Sequence, residues 1–261
     1  MTYNEHTIKK KNGKIRKIVA PDKELKNYQR KELDDVLTPK FKMMANSFKI
    51  YDCFHGFVPR RNSVTAAAQH IGYEATIMFD FADFFDTITF DHIQRAGYTL
   101  NAEQKEHLLH KEGYCAQGFP SSPMLANIAL IPFVVDMKNW LSIHTDNDFA
   151  ITLYADDIQI SINNTDPSYW REIRDTLYRK AEEHFLTINP SKTRIRFAKY
   201  GHRRILGVNV TSDSVLPTRK TNRKVRAVAH QVSTDNTKAN VLGGLRVWQM
   251  CHYPKGIDFT L

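Results

Sequence analysis

Hydrophobic and polar positions alternate on both sides of one short polar interruption. Ile151 and Leu153 alternate with Ala150 and Thr152, and Ile158, Ile160 and Ile162 alternate with Gln159 and Ser161. A period of two on both flanks predicts two strands joined as a β-hairpin. The interruption is Tyr154-Ala155-Asp156-Asp157, which puts two adjacent carboxylates at the apex. Upstream, the apolar run Thr76-Ile77-Met78-Phe79 predicts another strand, and it ends in Asp80. Between them, Gln117-Gly118-Phe119-Pro120-Ser121-Ser122-Pro123 reads as a turn that opens an apolar helix from Met124 to Val135. Helical spacing predicts a helix from Asp22 to about Leu37, with Leu25, Leu33, Val36 and Leu37 inward and Pro39 beyond its end. A second helix opens at Asp166-Pro167, turns Trp170, Ile173, Leu177 and Ala181 inward, and is stopped by Pro190. Lysines and arginines around Asn12-Gly13 predict a tight hairpin with basic arms. His55 to His70 passes through a turn at Pro59-Arg60-Arg61-Asn62 into a helix. Short strands over Arg194–Phe197 and Arg204–Val210, then a helical region from about Pro217, complete the pattern.

Composition adds bounds. A chain of 261 residues with 42% hydrophobic residues supports a packed core in one large domain or two small ones, which argues against global disorder. A net charge of +9 favours a polyanionic partner. Cys53, Cys115 and Cys251 match no zinc spacing and read as reduced, buried thiols. No apolar segment follows Met1 and no run is long enough to span a bilayer, so the expectation is a cytoplasmic protein without a membrane partner.

The carboxylates change the picture most. Aspartates at a turn are ordinarily unremarkable, but two adjacent ones between buried strands repel, and each raises the other's pKa. Hard divalent cations with oxygen ligands relieve that repulsion. A strand ending in a carboxylate, a Gly/Ser/Pro turn entering a helix, and a carboxylate-tipped hairpin, in that order, resemble the palm of reverse transcriptases. The resemblance runs from about Ile8 to about Val210.

It implies an α+β fold: a right-hand polymerase palm with fingers and a small helical thumb. Residues 1–75 would form the fingers, continued in part by 95–120; 76–210 the palm; and 211–261 a minimal thumb. It implies RNA-directed DNA synthesis by two-metal nucleotidyl transfer, in which positioning and charge neutralisation do most of the work. Two magnesium ions, replaceable by manganese, would be bridged by Asp80 and Asp156. Asp157 and the Phe81 carbonyl would complete the metal set. Asp83 and Asp86 read as capping or solvated residues.

Further positions follow from the same resemblance. Phe85 matches a steric gate that excludes ribonucleotides, and Gln117 and Gly118 line the nucleotide and template pocket. Lys14 and Arg16 face the triphosphate, with Lys10 able to share that duty. Lys192, in Asn189-Pro190-Ser191-Lys192-Thr193, is the candidate general acid. Ser121 and Ser122 cap the helix or meet the template. Tyr154 contacts nucleic acid, Leu206 and Gly207 hold the primer end, and Arg219, Lys220, Arg223, Lys224 and Arg226 form a basic helical stripe for the phosphate backbone. His55-Gly56-Phe57 with Arg60 and Arg61 matches a segment of bacterial members, with a template or structural role.

Within the family the chain resembles bacterial retron and defence-associated enzymes. Ala66-Ala67-Ala68-Gln69-His70 and Ile205-Leu206-Gly207 depart from the Asn-Ala-x-x-His and Val-Thr-Gly patterns typical of retron members. Expected partners are deoxynucleotides, an RNA template (a cognate non-coding RNA), the DNA product, and an effector protein or a second copy. The alternatives are an RNA-synthesising or template-independent palm polymerase, and a non-catalytic RNA-binding scaffold.

Overall fold

The order of strands and helices follows the alternation closely. The computed structural model describes residues 1–9, 13, 15–146, 148–234, 236–250 and 253–254. Strands β1 (Tyr3–Lys9) and β2 (Ile15–Pro21) form the antiparallel basic hairpin. Its turn residues Lys10, Lys11, Asn12 and Lys14 lie outside the described residues. Asp22 then caps α1 (Lys23–Glu32), accepting a hydrogen bond from the Leu25 N–H at 2.7 Å.

The expected end of this helix before Pro39 is corrected. A π-helical turn, Leu33–Leu37, carries the chain straight into α2 (Thr38–Ser47). Pro39 falls within the first turn of α2, where a missing N–H costs least.

Next come α3 (Ser63–Ala68), held by an Asn62–Thr65 capping box, and β3 (Ala75–Asp80). The short helices α4 (Phe84–Thr87), α5 (Phe90–Arg95) and α6 (Ala102–Leu108) follow. The apolar stretch from Met124 is two helices, α7 (Ser122–Ala129) and α8 (Ile131–His144), bent by 41°. Among the described residues no single helix is long and apolar enough to cross a membrane.

The predicted hairpin is β4 (Phe149–Tyr154) and β5 (Asp157–Ile162). Helix α9 (Pro167–Glu183) is capped by Asp166 and buries Trp170, Ile173, Leu177 and Ala181 as expected. Pro190 is not what stops it. Phe185 adopts a left-handed φ of 59°, and the Leu186 N–H donates back to the Ala181 carbonyl at 2.8 Å, a Schellman closure seven residues earlier. Strands β6 (Arg194–Phe197), β7 (Arg203–Ile205), β8 (Val208–Val210) and β9 (Ser214–Leu216) precede helices α10 (Arg219–Thr234) and α11 (Ala239–Gln249) and strand β10 (Tyr253–Pro254). The expected palm–thumb boundary at 210 falls inside a sheet of order β10-β9-β8-β7.

The central antiparallel sheet has the order β4-β5-β3-β6. Its two faces differ in chemistry. Ile77, Phe79, Ile151, Leu153, Ile158 and Ile160 join α7, α8 and α9 in the main core. The opposite face carries Thr76, Thr152, Gln159 and Ser161, and these polar side chains are buried as well. His70 and Arg203 cover them. His70 Nδ1 and Nε2 lie 2.8 Å from the Ser161 and Thr152 hydroxyls, and Arg203 donates to Thr76 Oγ1 at 2.8 Å and to the His70 carbonyl at 2.6 Å. A smaller apolar cluster of α3, β7, β8 and β9 residues closes over Met78 on the same side.

Candidate active site

The register of the sheet builds the site. Asp80, the last residue of β3, pairs directly with Asp157, the first of β5, and Tyr154 pairs with Asp157 from β4. Paired residues project to the same face. Asp156 occupies the two-residue turn, where Ala155 holds a left-handed φ of 57°. The Phe81 N–H fixes that turn by donating to the Asp156 carbonyl at 3.0 Å, and Phe81 itself is buried.

Electrostatics reflect this crowding. Burial raises the Asp157 carboxyl to about 6, helped by the charges of Asp156 and Asp80. Asp156 is raised too, chiefly by burial and then by Asp80, with Lys192 and Arg16 opposing. Lys192 donates to Asp80 Oδ2 at 2.5 Å. Burial alone would lower that ammonium, but the bond to Asp80 and the Asp80, Asp156 and Asp157 charges overcome it and raise its pKa. The Asn189 N–H donates to the Asp80 carbonyl at 2.8 Å, so the 189–192 turn is built directly onto the end of β3.

The donor set fits a hard divalent cation: carboxylates gathered at one spot and destabilised by each other. Among the described residues no group of three or more His, Cys, Asp or Glu side chains is arranged to hold a metal ion by itself. Lys192 holds one Asp80 oxygen, and magnesium characteristically takes part of its coordination from substrate phosphates and water.

Phe85 is half-buried; its ring lies 5.3 Å from Phe84 and 6.2 Å from Phe57. Arg16 is exposed on β2, close enough to lower Asp156, whereas Lys14 lies outside the described residues. Gln117 and Gly118 meet the fingers hairpin. The Val19 N–H donates to the Gln117 carbonyl at 2.8 Å, and a Cβ on Gly118, whose φ is +118°, would collide with the Val19 carbonyl. The glycine is thus explained by the approach of β2.

Capping by Ser121 and Ser122 is corrected. Both hydroxyls are buried without a hydrogen-bond partner, and Ser121, at the N-cap of α7, makes no side-chain cap. Asp83 stands at the N-cap of α4 with φ 42° and also makes none; it and Asp86 are exposed. Leu206 and Gly207, with φ of 45° and 88°, form the tight turn between β7 and β8. Arg219, Lys220, Arg223, Lys224 and Arg226 are exposed along α10, and Val225 is buried among them.

Sequence reasoning understated His55-Gly56-Phe57. The His55 N–H donates to the Leu153 carbonyl at 2.8 Å, and a Cβ on Gly56 would overlap the Ala155 backbone nitrogen. Asn127 of α7 holds the Gly56 carbonyl at 3.0 Å. Phe57 is 45% exposed with φ 61°. Arg61 is structural, donating to the Tyr51 and Phe54 carbonyls at 2.6 and 2.8 Å. Cys53 and Cys115 are free and buried, and burial pushes the Cys53 thiol to about 11; Cys251 lies outside the described residues.

An antiparallel palm sheet carrying carboxylates at the joined ends of β3 and a hairpin defines a class of polymerase fold. The chain belongs to the reverse transcriptase (RNA-dependent DNA polymerase) family, whose sequence pattern matches residues 8–231. It is 27% identical over 252 residues to the retron Mx65 reverse transcriptase of Myxococcus xanthus, covering 88% of this chain and 56% of that protein. It is 26% identical over 237 residues to the retron Ec86 reverse transcriptase of Escherichia coli, covering 88% of this chain and 70% of that one. In fold it is similar to telomerase from Candida albicans, with a TM-score of 0.60 and 13% identity over 83% of this chain and 46% of that one.

Proposed function

We propose that the protein is an RNA-directed DNA polymerase that extends a primer with deoxynucleotides, working on a dedicated non-coding RNA in a retron-like or anti-phage setting in the bacterial cytoplasm. The observation that carries this reading is the pairing of Asp80 with Asp157 beside the Asp156 turn, with Lys192 on Asp80. Family membership and similarity to retron enzymes over most of the chain support it.

Asp80, Asp156, Asp157 and the Phe81 carbonyl would hold magnesium or manganese, which when bound activates the primer hydroxyl and neutralises the triphosphate. The chain's own groups do the rest. Lys192, whose pKa is raised by its bond to Asp80 and by the Asp80, Asp156 and Asp157 charges, would give a proton to the leaving pyrophosphate. Arg16, with Lys14 beside it in sequence, supplies positive charge for the triphosphate. Phe85, braced by Phe84, presents a ring against the sugar, and Gln117 and Gly118 bound the pocket from the fingers side. The Leu206-Gly207 turn and Tyr154 would seat the primer end, and α10 would track the duplex backbone. In this reading residues 1–75 with 95–120 act as fingers, and those from 211 on as a thumb that an RNA, an effector protein or a second copy assists.

The test is primer extension on an RNA template with magnesium, comparing wild type with Asp156→Ala/Asp157→Ala. Aspartate-dependent incorporation of deoxynucleotides that requires template is expected. Incorporation of ribonucleotides alone, or labelling without template, would replace this reading with another palm polymerase. Biological activity that survives the double substitution would leave only a scaffold.

A further inference from the structure

Strand β6 is the edge of the palm sheet, and its residues divide cleanly. Ile195 and Phe197 pack on the main core, while Arg194 and Arg196 are exposed. The register pairs Arg194 with Met78 and Arg196 with Thr76, so both arginines project to the face that carries Asp80. Lys192, bonded to Asp80, begins the row. Lys192 lies in the 3-10 turn before the strand, and Arg194 and Arg196 stand two residues apart on β6, about 7 Å along it. That spacing suits successive phosphates of an extended nucleic-acid strand.

Past β6, the Tyr200 ring is 80% exposed and meets Phe197 edge-on at 6.1 Å. Lys199 lies 5.2 Å from the Tyr200 ring centroid. Arg204, on the neighbouring β7, is exposed too. Among the described residues, Arg194, Arg196, Lys199 and Arg204 form no ion pair. The Tyr200 ring stands on the Phe197 side of this edge strand and the arginines on the other, so a single strand that runs its backbone along the charge would turn over the edge to lay a base on the ring.

We propose that the β6 edge and the turn after it form a second nucleic-acid contact, outside the catalytic cleft. It holds the backbone of a single-stranded segment on Arg194, Arg196 and Arg204, with a base stacked on Tyr200. This extends the polymerase reading above, because the row starts at the catalytic lysine. A charged edge strand also discourages edge-to-edge aggregation. That role would be served equally by glutamate, whereas a phosphate site would be destroyed by it.

The experiment uses the whole chain and four variants: Arg194→Glu/Arg196→Glu, Arg194→Lys/Arg196→Lys, Tyr200→Ala, and Asp156→Ala/Asp157→Ala. Binding of a twenty-nucleotide oligo(U) and an oligo(dT) is measured by anisotropy across a salt series, and extension is measured on a short blunt primed hairpin. The glutamate pair is expected to lower the slope of log affinity against log salt by about 1.4, roughly 0.7 for each lost phosphate contact. Tyr200→Ala is expected to weaken binding about tenfold, and the lysine pair to retain most of it. The strand type that suffers identifies the source as template RNA or DNA product. Extension on the short hairpin stays at the wild-type rate in the β6 variants. Unchanged affinity and slope for both oligonucleotides would overturn the proposal and leave the polymerase reading standing. A wild type that binds through β6 but extends nothing would do the reverse.

Discussion

Single atoms decide the geometry at the catalytic turn. Gly56 leaves no room for a side chain against the Ala155 backbone nitrogen, and Ala155 is itself in left-handed backbone. Gly56→Ala would therefore push the carboxylate hairpin out of place. Extension is expected to fall about a hundredfold, the cost of a displacement of the order of an ångström, with melting lowered by only a few degrees. Near-wild-type extension would show that the turn yields instead. Lys192 offers a different test, because its side chain is 56% exposed and serves Asp80 rather than the core. Lys192→Gln should lower the single-turnover rate about a hundredfold with primer–template affinity nearly unchanged; an unaltered rate would remove it from the chemistry. Neither contact was legible in the sequence at full strength. Asp156 and Asp157 announce themselves by adjacency, but the reason for Gly56 appears only once the chain returns from residue 56 to residue 155.

At the level of elements, β3, β4, β5, β6 and α9 were legible because period and capping are local properties. The ends of helices were less so. Pro39 and Pro190 look alike as stop signals, yet one is absorbed by a π turn and the other lies beyond a Schellman closure. The polar face of the sheet was not legible at all. Thr152, Gln159 and Ser161 alternate as a solvated face would, and only pairing with His70 and Arg203 reveals that they are buried. That burial has a consequence for acid stability. Burial holds the His70 imidazole down at about 3, with Arg203 adding repulsion, and His55 is likewise lowered to about 3. The unfolded chain binds these protons near pH 6.5, so folding stability is fully present above that value and is lost as pH falls from 6.5 toward 3. Urea titrations between pH 7.5 and 5 should show falling midpoints, and His70→Gln should flatten the slope. A midpoint independent of pH in the wild type would contradict the buried neutral assignment.

For the molecule as a whole, exposed positive charge runs along α10, the helix proposed above to track the duplex. Arg223→Glu/Lys224→Glu, on the exposed side of α10, should reduce the salt slope for a primed duplex by about 1.8, or 0.9 per phosphate. The rate at saturating primer–template should be nearly constant, and an unchanged slope would take α10 off the duplex path. The overall class was readable because spaced carboxylates survive in a sequence as a signature, whereas the assembly of fingers on palm depends on contacts between residues a hundred positions apart. One such contact sets a mechanical rule. Val19 of β2 is hydrogen-bonded to Gln117, and Gly118 lies flush against it, with Val19, Leu25, Ala116 and Phe119 sealed into their own small core. The basic hairpin and the pocket loop are consequently one lever. If Arg16 and Gln117 serve the nucleotide as proposed, a swing of the hairpin carries both, and charge and pocket shape reach the substrate in a single stroke.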